Sequence, residues 1–262
     1  MREARGGPWF MPIMGGLIGF AWVALLLWEQ SPYGRYLDHG RWNEIGLLAS
    51  LCRALPAGEV LVPALLYVGG WLLMSAAMML PTIMPLLDRF ARLTRSHPNS
   101  GTLVALLIAG YLSVWAGFGV AAHLLDAALN AVVSGTPALA ENGWMLGAAI
   151  IAGAGLFQFS RLKYMCLDKC RTPFSFIAHH WQGAAARRRA FLLGLDHGLF
   201  CVGCCWATML LMFIVGTGNV GWMLVLGSIM ALEKNALWGR RIARPVGGAL
   251  LLWAGAITAT NL

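Results

Sequence analysis

Apolar stretches recur along this chain near residues 9–28, 60–82, 102–122, 143–160, 190–215, 219–235 and 245–260. A helix of about 20 apolar residues spans the ~30 Å hydrocarbon core of a bilayer. Inside hydrocarbon, a segment must satisfy its own backbone polar groups, which a helix does alone. The expected fold is therefore all-α, a polytopic transmembrane helix bundle of about seven spans, with residues 1–262 forming a single integral membrane domain. Composition agrees, because 59% hydrophobic and only 11% charged residues exclude an ordinary soluble domain. The opening Met1-Arg2-Glu3-Ala4-Arg5 before an apolar run looks like a signal peptide. No small-x-small cleavage pattern closely follows Trp28, so this run is read as a retained first helix.

The net charge of +8 has a simple origin. Sixteen of the 19 Lys and Arg residues fall on one side of the expected spans, and only Arg35, Arg41 and Arg53 on the other. Cytoplasmic loops attract this bias, so the N-terminus is expected inside and the C-terminus outside. The same bias removes the reason to invoke nucleic acid as a partner. Two connections are longer than turns. Residues 29–58 face outward and contain Trp42 to Leu48, which read as an interfacial helix. Residues 162–189 face inward and carry Pro173 to Phe176, His179, His180 and Arg187 to Arg189, as an amphipathic segment on anionic lipid would.

The chemistry concentrates in the stretch from Asp196 to Met212. At helical spacing, His197, Cys201 and Cys204 share one face, Cys205 lies at its edge, and Thr208 and Met212 continue it. Imidazole, thiolate and thioether are the donors that favour Cu(I), with zinc the second choice. Met78 and Met79 lie in a run from Met74 to Pro85 whose two prolines, Pro81 and Pro85, are expected to kink or unwind the helix. Cys166 and Cys170 form a CxxxC pair, expected on one face of a continuing helix beside Lys163, Lys169 and Arg171. That pair suits either a metal or a regulatory dithiol. Asp196 would orient a ligand imidazole or pair with Lys234, while Glu233-Lys234 reads as an interfacial charged pair. His123 and Asp126 are expected at a solvated helix end, and Cys52 as a packing residue. The chain holds no nucleotide-binding loop, metalloprotease motif, nucleophile elbow or haem-attachment motif. An ATP-driven pump would need a nucleotide domain that no loop here is long enough to supply.

Four runs then occur in a telling order. They are Ala77-Met78-Met79-Leu80-Pro81 with Pro85, Lys163-x-x-Cys166-Leu-x-x-x-Cys170-Arg-x-Pro173, Cys201-x-Gly203-Cys204-Cys205-Trp206-x-x-Met209, and Glu233-Lys234. Together they resemble a bacterial family of predicted metal-binding integral membrane proteins of the copper chaperone type, over roughly residues 70–235. The resemblance implies metal binding, with copper the expected ion. It also implies a multi-pass protein of the bacterial cytoplasmic (inner) membrane that serves a copper enzyme outside the membrane.

The leading expectation is a non-enzymatic membrane protein that carries Cu(I), as chaperone or transporter. Its candidate ligands are His197, Cys201, Cys204, Cys205, Met78, Met79, Cys166 and Cys170. Its partners would be the lipid bilayer and an extracytoplasmic or membrane copper enzyme. A non-catalytic accessory subunit of a larger membrane complex is the second reading. A thiol oxidoreductase using Cys201, Cys204 and Cys205 is the third; the adjacent Cys204 and Cys205 would close only a strained ring, which leaves Cys201 and Cys204 as its pair.

Overall fold

The computed structural model describes residues 10–30, 58–136, 142–172, 177–178, 181, 185–215 and 219–261. Those residues form eight helices and no strand: α1 Phe10–Glu29, α2 Gly58–Leu93, α3 Ser100–Gly135, α4 Gly143–Phe157, α5 Arg161–Arg171, α6 Ala186–Val215, α7 Val220–Asn235 and α8 Gly239–Asn261. The all-α expectation therefore holds. The stretch Trp42 to Leu48, Cys52, Pro173 to Phe176, and the pair His179 and His180 lie outside the described residues.

The count of about seven spans is not reached. Four segments are long and apolar enough to cross a membrane: Val68–Leu93 of α2, Ser100–Asp126 of α3, all of α6 and all of α8. A fifth exists if α4 and α5 count as one bent span. The apolar part of α1, Pro12–Leu27, is shorter, and α7 has only 16 residues. At ~1.5 Å per residue such a helix falls short of a ~30 Å core.

Three local expectations are also corrected. The helix carrying Cys166 and Cys170 does not continue from α4. The chain turns at Gln158 and Phe159, and Ser160 then caps a new helix by accepting the backbone N–H of Lys163 at 3.1 Å. α4 and α5 consequently meet at 60°. By contrast, Pro81 and Pro85 do not unwind α2, which stays helical to Leu93. Within this stretch Thr82 donates its hydroxyl to the Met79 carbonyl one turn back, at 2.7 Å. Finally, His123 and Asp126 are not at a helix end, because α3 runs on to Gly135.

Packing centres on α6. Its main partner is α3, and α5, α4 and α7 also lie against it. The α3–α6 contact is built from small residues. A Cβ on Gly110 would strike the Phe191 carbonyl, and one on Gly194 would strike the Leu107 carbonyl. One on Gly198 would come within 2.9 Å of Val114. Gly194 and Gly198 are four residues apart, the spacing that lets two membrane helices touch backbone to backbone. α2 packs on α3 and on α1, and α7 bridges α2, α5, α6 and α8. α8 pairs mainly with α4. The outer faces carry large apolar side chains such as Phe20, Leu124, Leu199 and Leu252, which suits contact with lipid better than with water.

Candidate metal centre

The close α3–α6 contact decides what surrounds the cysteines. It places Tyr111 of α3 over the middle of α6, where its hydroxyl lies 2.9 Å from Cys201 Sγ and its ring 6.1 Å from that of His197. Cys201 stands about 22 Å along an α6 that is about 45 Å long, close to the midpoint. His197, Cys201, Cys204 and Cys205 are all buried at 2% exposure or less, so this stripe faces protein rather than lipid.

The CxxxC pair joins the same centre, through a route the sequence does not display. The bend between α4 and α5 lays α5 against α6. Cys166 Sγ fits over Gly203, where a Cβ would lie only 2.6 Å away. One turn on, the half-buried Cys170 stands beside Cys204. Cys204 in turn stands beside Cys201, and Cys201 beside Cys205. Two motifs separated by thirty residues of sequence thus become one patch of five free cysteines. The thiols of Cys204 and Cys205 also donate to the Cys201 carbonyl, at 3.1 and 2.8 Å. Among the described residues, no three His, Cys, Asp or Glu side chains are grouped so as to hold a metal ion.

Methionine extends the sulfur surface. Met74, Met78 and Met79 of α2, Met209 and Met212 of α6, and Met223 and Met230 of α7 are all buried at 2% exposure or less. The spacing explains why. On α6, Cys201, Cys205, Met209 and Met212 follow one face, and on α7 so do Met223, Gly227, Met230 and Lys234. On α2 the matching face carries Trp71, Met74, Met78 and Thr82. The far end of this interior is filled by rings. Trp71 lies 5.9 Å from Phe118 and 5.6 Å from Phe213, and its indole N–H donates to the Trp115 carbonyl at 2.9 Å.

The charged residues are arranged differently from the surface pairs expected. Glu233 and Lys234 are both buried. Glu233 accepts from Lys163 at 2.8 Å, a pair between α5 and α7 in which both side chains are almost wholly enclosed. The Lys234 ammonium turns instead toward Cys201 Sγ at 2.7 Å and Thr82 Oγ1 at 3.4 Å. Arg171 donates to the carbonyls of Glu233, Ala236 and Leu237, satisfying the open C-terminal end of α7 from a neighbouring helix. Lys163 and Arg171 are thereby committed to α7 rather than free to favour thiolate at Cys166 and Cys170. Gln158, at the bend, donates to Thr208 Oγ1 at 3.1 Å and ties α4 to α6.

Sequence reasoning identified the cysteines but missed Tyr111, the pairing of Lys163 with Glu233 and the inward turn of Lys234. The available signal was general: a Lys, Glu or Tyr placed within apolar sequence needs a buried partner. Nothing local names that partner.

No curated protein and no solved structure matches the chain. Residues 68–257, from within α2 through most of α8, match the PpoB2 family, described as a copper chaperone. That range encloses the whole sulfur-lined interior and agrees with the copper-chaperone resemblance carried by the four sequence runs. By that match over most of its length, the chain belongs to the PpoB2 copper chaperone family.

Proposed function

We propose that this protein is a non-enzymatic Cu(I) carrier of the bacterial cytoplasmic membrane, and that it delivers the ion to an extracytoplasmic or membrane copper enzyme. Copper is the cargo. Its ligands are drawn from Cys166, Cys170, Cys201, Cys204 and Cys205, with His197, Met78 and Met79 at the margins of the same interior. The observation that carries this reading is the meeting of the two cysteine motifs on α5 and α6, where Cys170 reaches Cys204. Four buried thiols, with the half-buried Cys170 beside them, form a soft-donor surface, which favours Cu(I) over hard cations. Small movements of α5 on α6 would redirect these sulfurs from each other to an ion. The buried methionines of α2, α6 and α7 provide further thioethers by which an ion leaves the thiols. The four or five helices long and apolar enough to cross a membrane cross it, with the N-terminus inside.

The test is metal content. Replacing Cys201 and Cys204 together by Ser changes little volume, and Ser is a much poorer ligand for Cu(I). After anaerobic loading and purification in detergent, the unaltered protein is expected to hold copper and the double variant to lose at least nine-tenths of it. Equal copper in the two proteins, or none in either, would overturn the proposal.

A further inference from the structure

A buried ammonium ordinarily sits against a carboxylate. Lys234 does not. Its neighbour Glu233 is held by Lys163, and the Lys234 Nζ lies instead among sulfurs: 2.7 Å from Cys201, 3.8 Å from Cys205 and 3.9 Å from Met79. The remaining contact is the Thr82 hydroxyl at 3.4 Å, whose own proton goes to the Met79 carbonyl. Two thiols and a thioether from two helices thus surround one positive charge. This is the donor set that suits a Cu(I) ion, and the nitrogen stands inside it. The arrangement is supported from outside, because Tyr111 lies 2.9 Å from the same Cys201 sulfur.

We infer that Lys234 is a resident cation of the sulfur cluster, holding the place of Cu(I) in the metal-free protein, withdrawing when the ion binds, and biasing the site toward monovalent over divalent metal. The inference rests on the reading that these sulfurs bind Cu(I). Three arguments support it. A metal ion and an ammonium cannot both take Cys201 Sγ as close partner. Repulsion between the lysine charge and a bound ion grows with the charge of that ion and is weakly screened in an apolar interior, so Zn²⁺ suffers about twice the penalty of Cu(I). Lysine also has a flexible four-carbon stem, which allows the head to move while the backbone stays in place. The lysine keeps its proton, while the thiol protons that Cu(I) displaces, such as the one Cys205 gives to the Cys201 carbonyl, pass to solvent. The charge stays on the side chain and changes position.

The experiment uses the full chain in detergent, with Lys234→Met and Lys234→Gln. Cu(I) is titrated anaerobically against a chromophoric Cu(I) chelator, and Zn²⁺ against a fluorescent zinc indicator. Both neutral variants are expected to bind Cu(I) at least tenfold more tightly than the unaltered protein. Their Zn²⁺ affinity is expected to rise by a larger factor, narrowing the preference for copper. Lys234→Arg, which keeps the charge, is expected to retain that preference. Affinities in the neutral variants that are unchanged or weaker overturn the inference. Should either neutral variant fail to fold, the unaltered protein still decides: its Lys234 ammonium signal in lysine side-chain NMR must move on Cu(I) loading, and an unmoved signal overturns displacement. The two readings fail separately. If the unaltered protein binds no Cu(I), both fall; if it binds Cu(I) through Cys201 and Cys204 while the Lys234 variants behave as it does, only the lysine assignment falls.

Discussion

The buried charges are the most consequential single residues after the cysteines. Lys163 and Glu233 are enclosed together, at 2.8 Å. An enclosed pair adds little net stability over apolar side chains of the same size, but leaving one charge without the other costs about 3–5 kcal/mol. Lys163→Met is therefore expected to lower stability by about that amount, and the double variant Lys163→Met with Glu233→Met to recover most of it. Thermal unfolding of the three proteins in one detergent checks this. A double variant as unstable as the single would mean that the pair matters for something other than its own charge balance. Lys163 lies three residues before Cys166 on α5, so the pair also fixes where the CxxxC thiols meet α6.

At the scale of elements, α5 is the part whose placement the function depends on. It is only 11 residues long, yet three separate contacts seat it: the Lys163–Glu233 pair, Arg171 on the carbonyl end of α7, and Cys166 over Gly203. Gly203 sets how closely it approaches. A methyl group there would lie 2.6 Å from the Cys166 sulfur, so Gly203→Ala should push α5 outward at a cost of about 1–3 kcal/mol. The expected result is a folded protein in which a short dithiol-bridging reagent no longer joins Cys170 to Cys204. Mass spectrometry of the bridged peptides is the check, and undiminished bridging would show that α5 does not depend on this contact. The α3–α6 pair is less forgiving. Gly194→Leu sets a large side chain against the Leu107 carbonyl between two backbones, and the expected outcome is loss of folded protein in detergent, read as an aggregated elution profile.

For the whole molecule the prediction is orientation. Reporter fusions after the arginines of Arg187 to Arg189 are expected to report the cytoplasm, and fusions at the C-terminus the outside, as sixteen of 19 basic residues on one side imply. The opposite result at Arg187 to Arg189 would overturn the topology. Arg240 at the start of α8 lies 3.4 Å from Asp168 of α5, and Arg171 grips the end of α7. The aromatic cluster of Trp71, Trp115, Phe118 and Phe213 closes the sulfur-lined interior away from those contacts.

Much of this was legible from residue order alone. Hydropathy determined an all-helical chain with long apolar helices, because a backbone in hydrocarbon has few alternatives. Helical periodicity placed His197, Cys201 and Cys204 on one face, since side-chain direction along a helix follows from residue number. The four motif runs pointed to the copper chaperone family that the match confirms. Tertiary structure decided the rest. Whether α4 continued or turned depended on a serine cap and a glutamine bond to Thr208, two contacts whose balance no periodicity reveals. That Cys170 meets Cys204, and that Lys234 turns to sulfur while Glu233 takes Lys163, depends on which helices lie side by side. Partners 29 to 155 residues apart are chosen by packing and by the need to satisfy buried charge, and neither is written in local sequence.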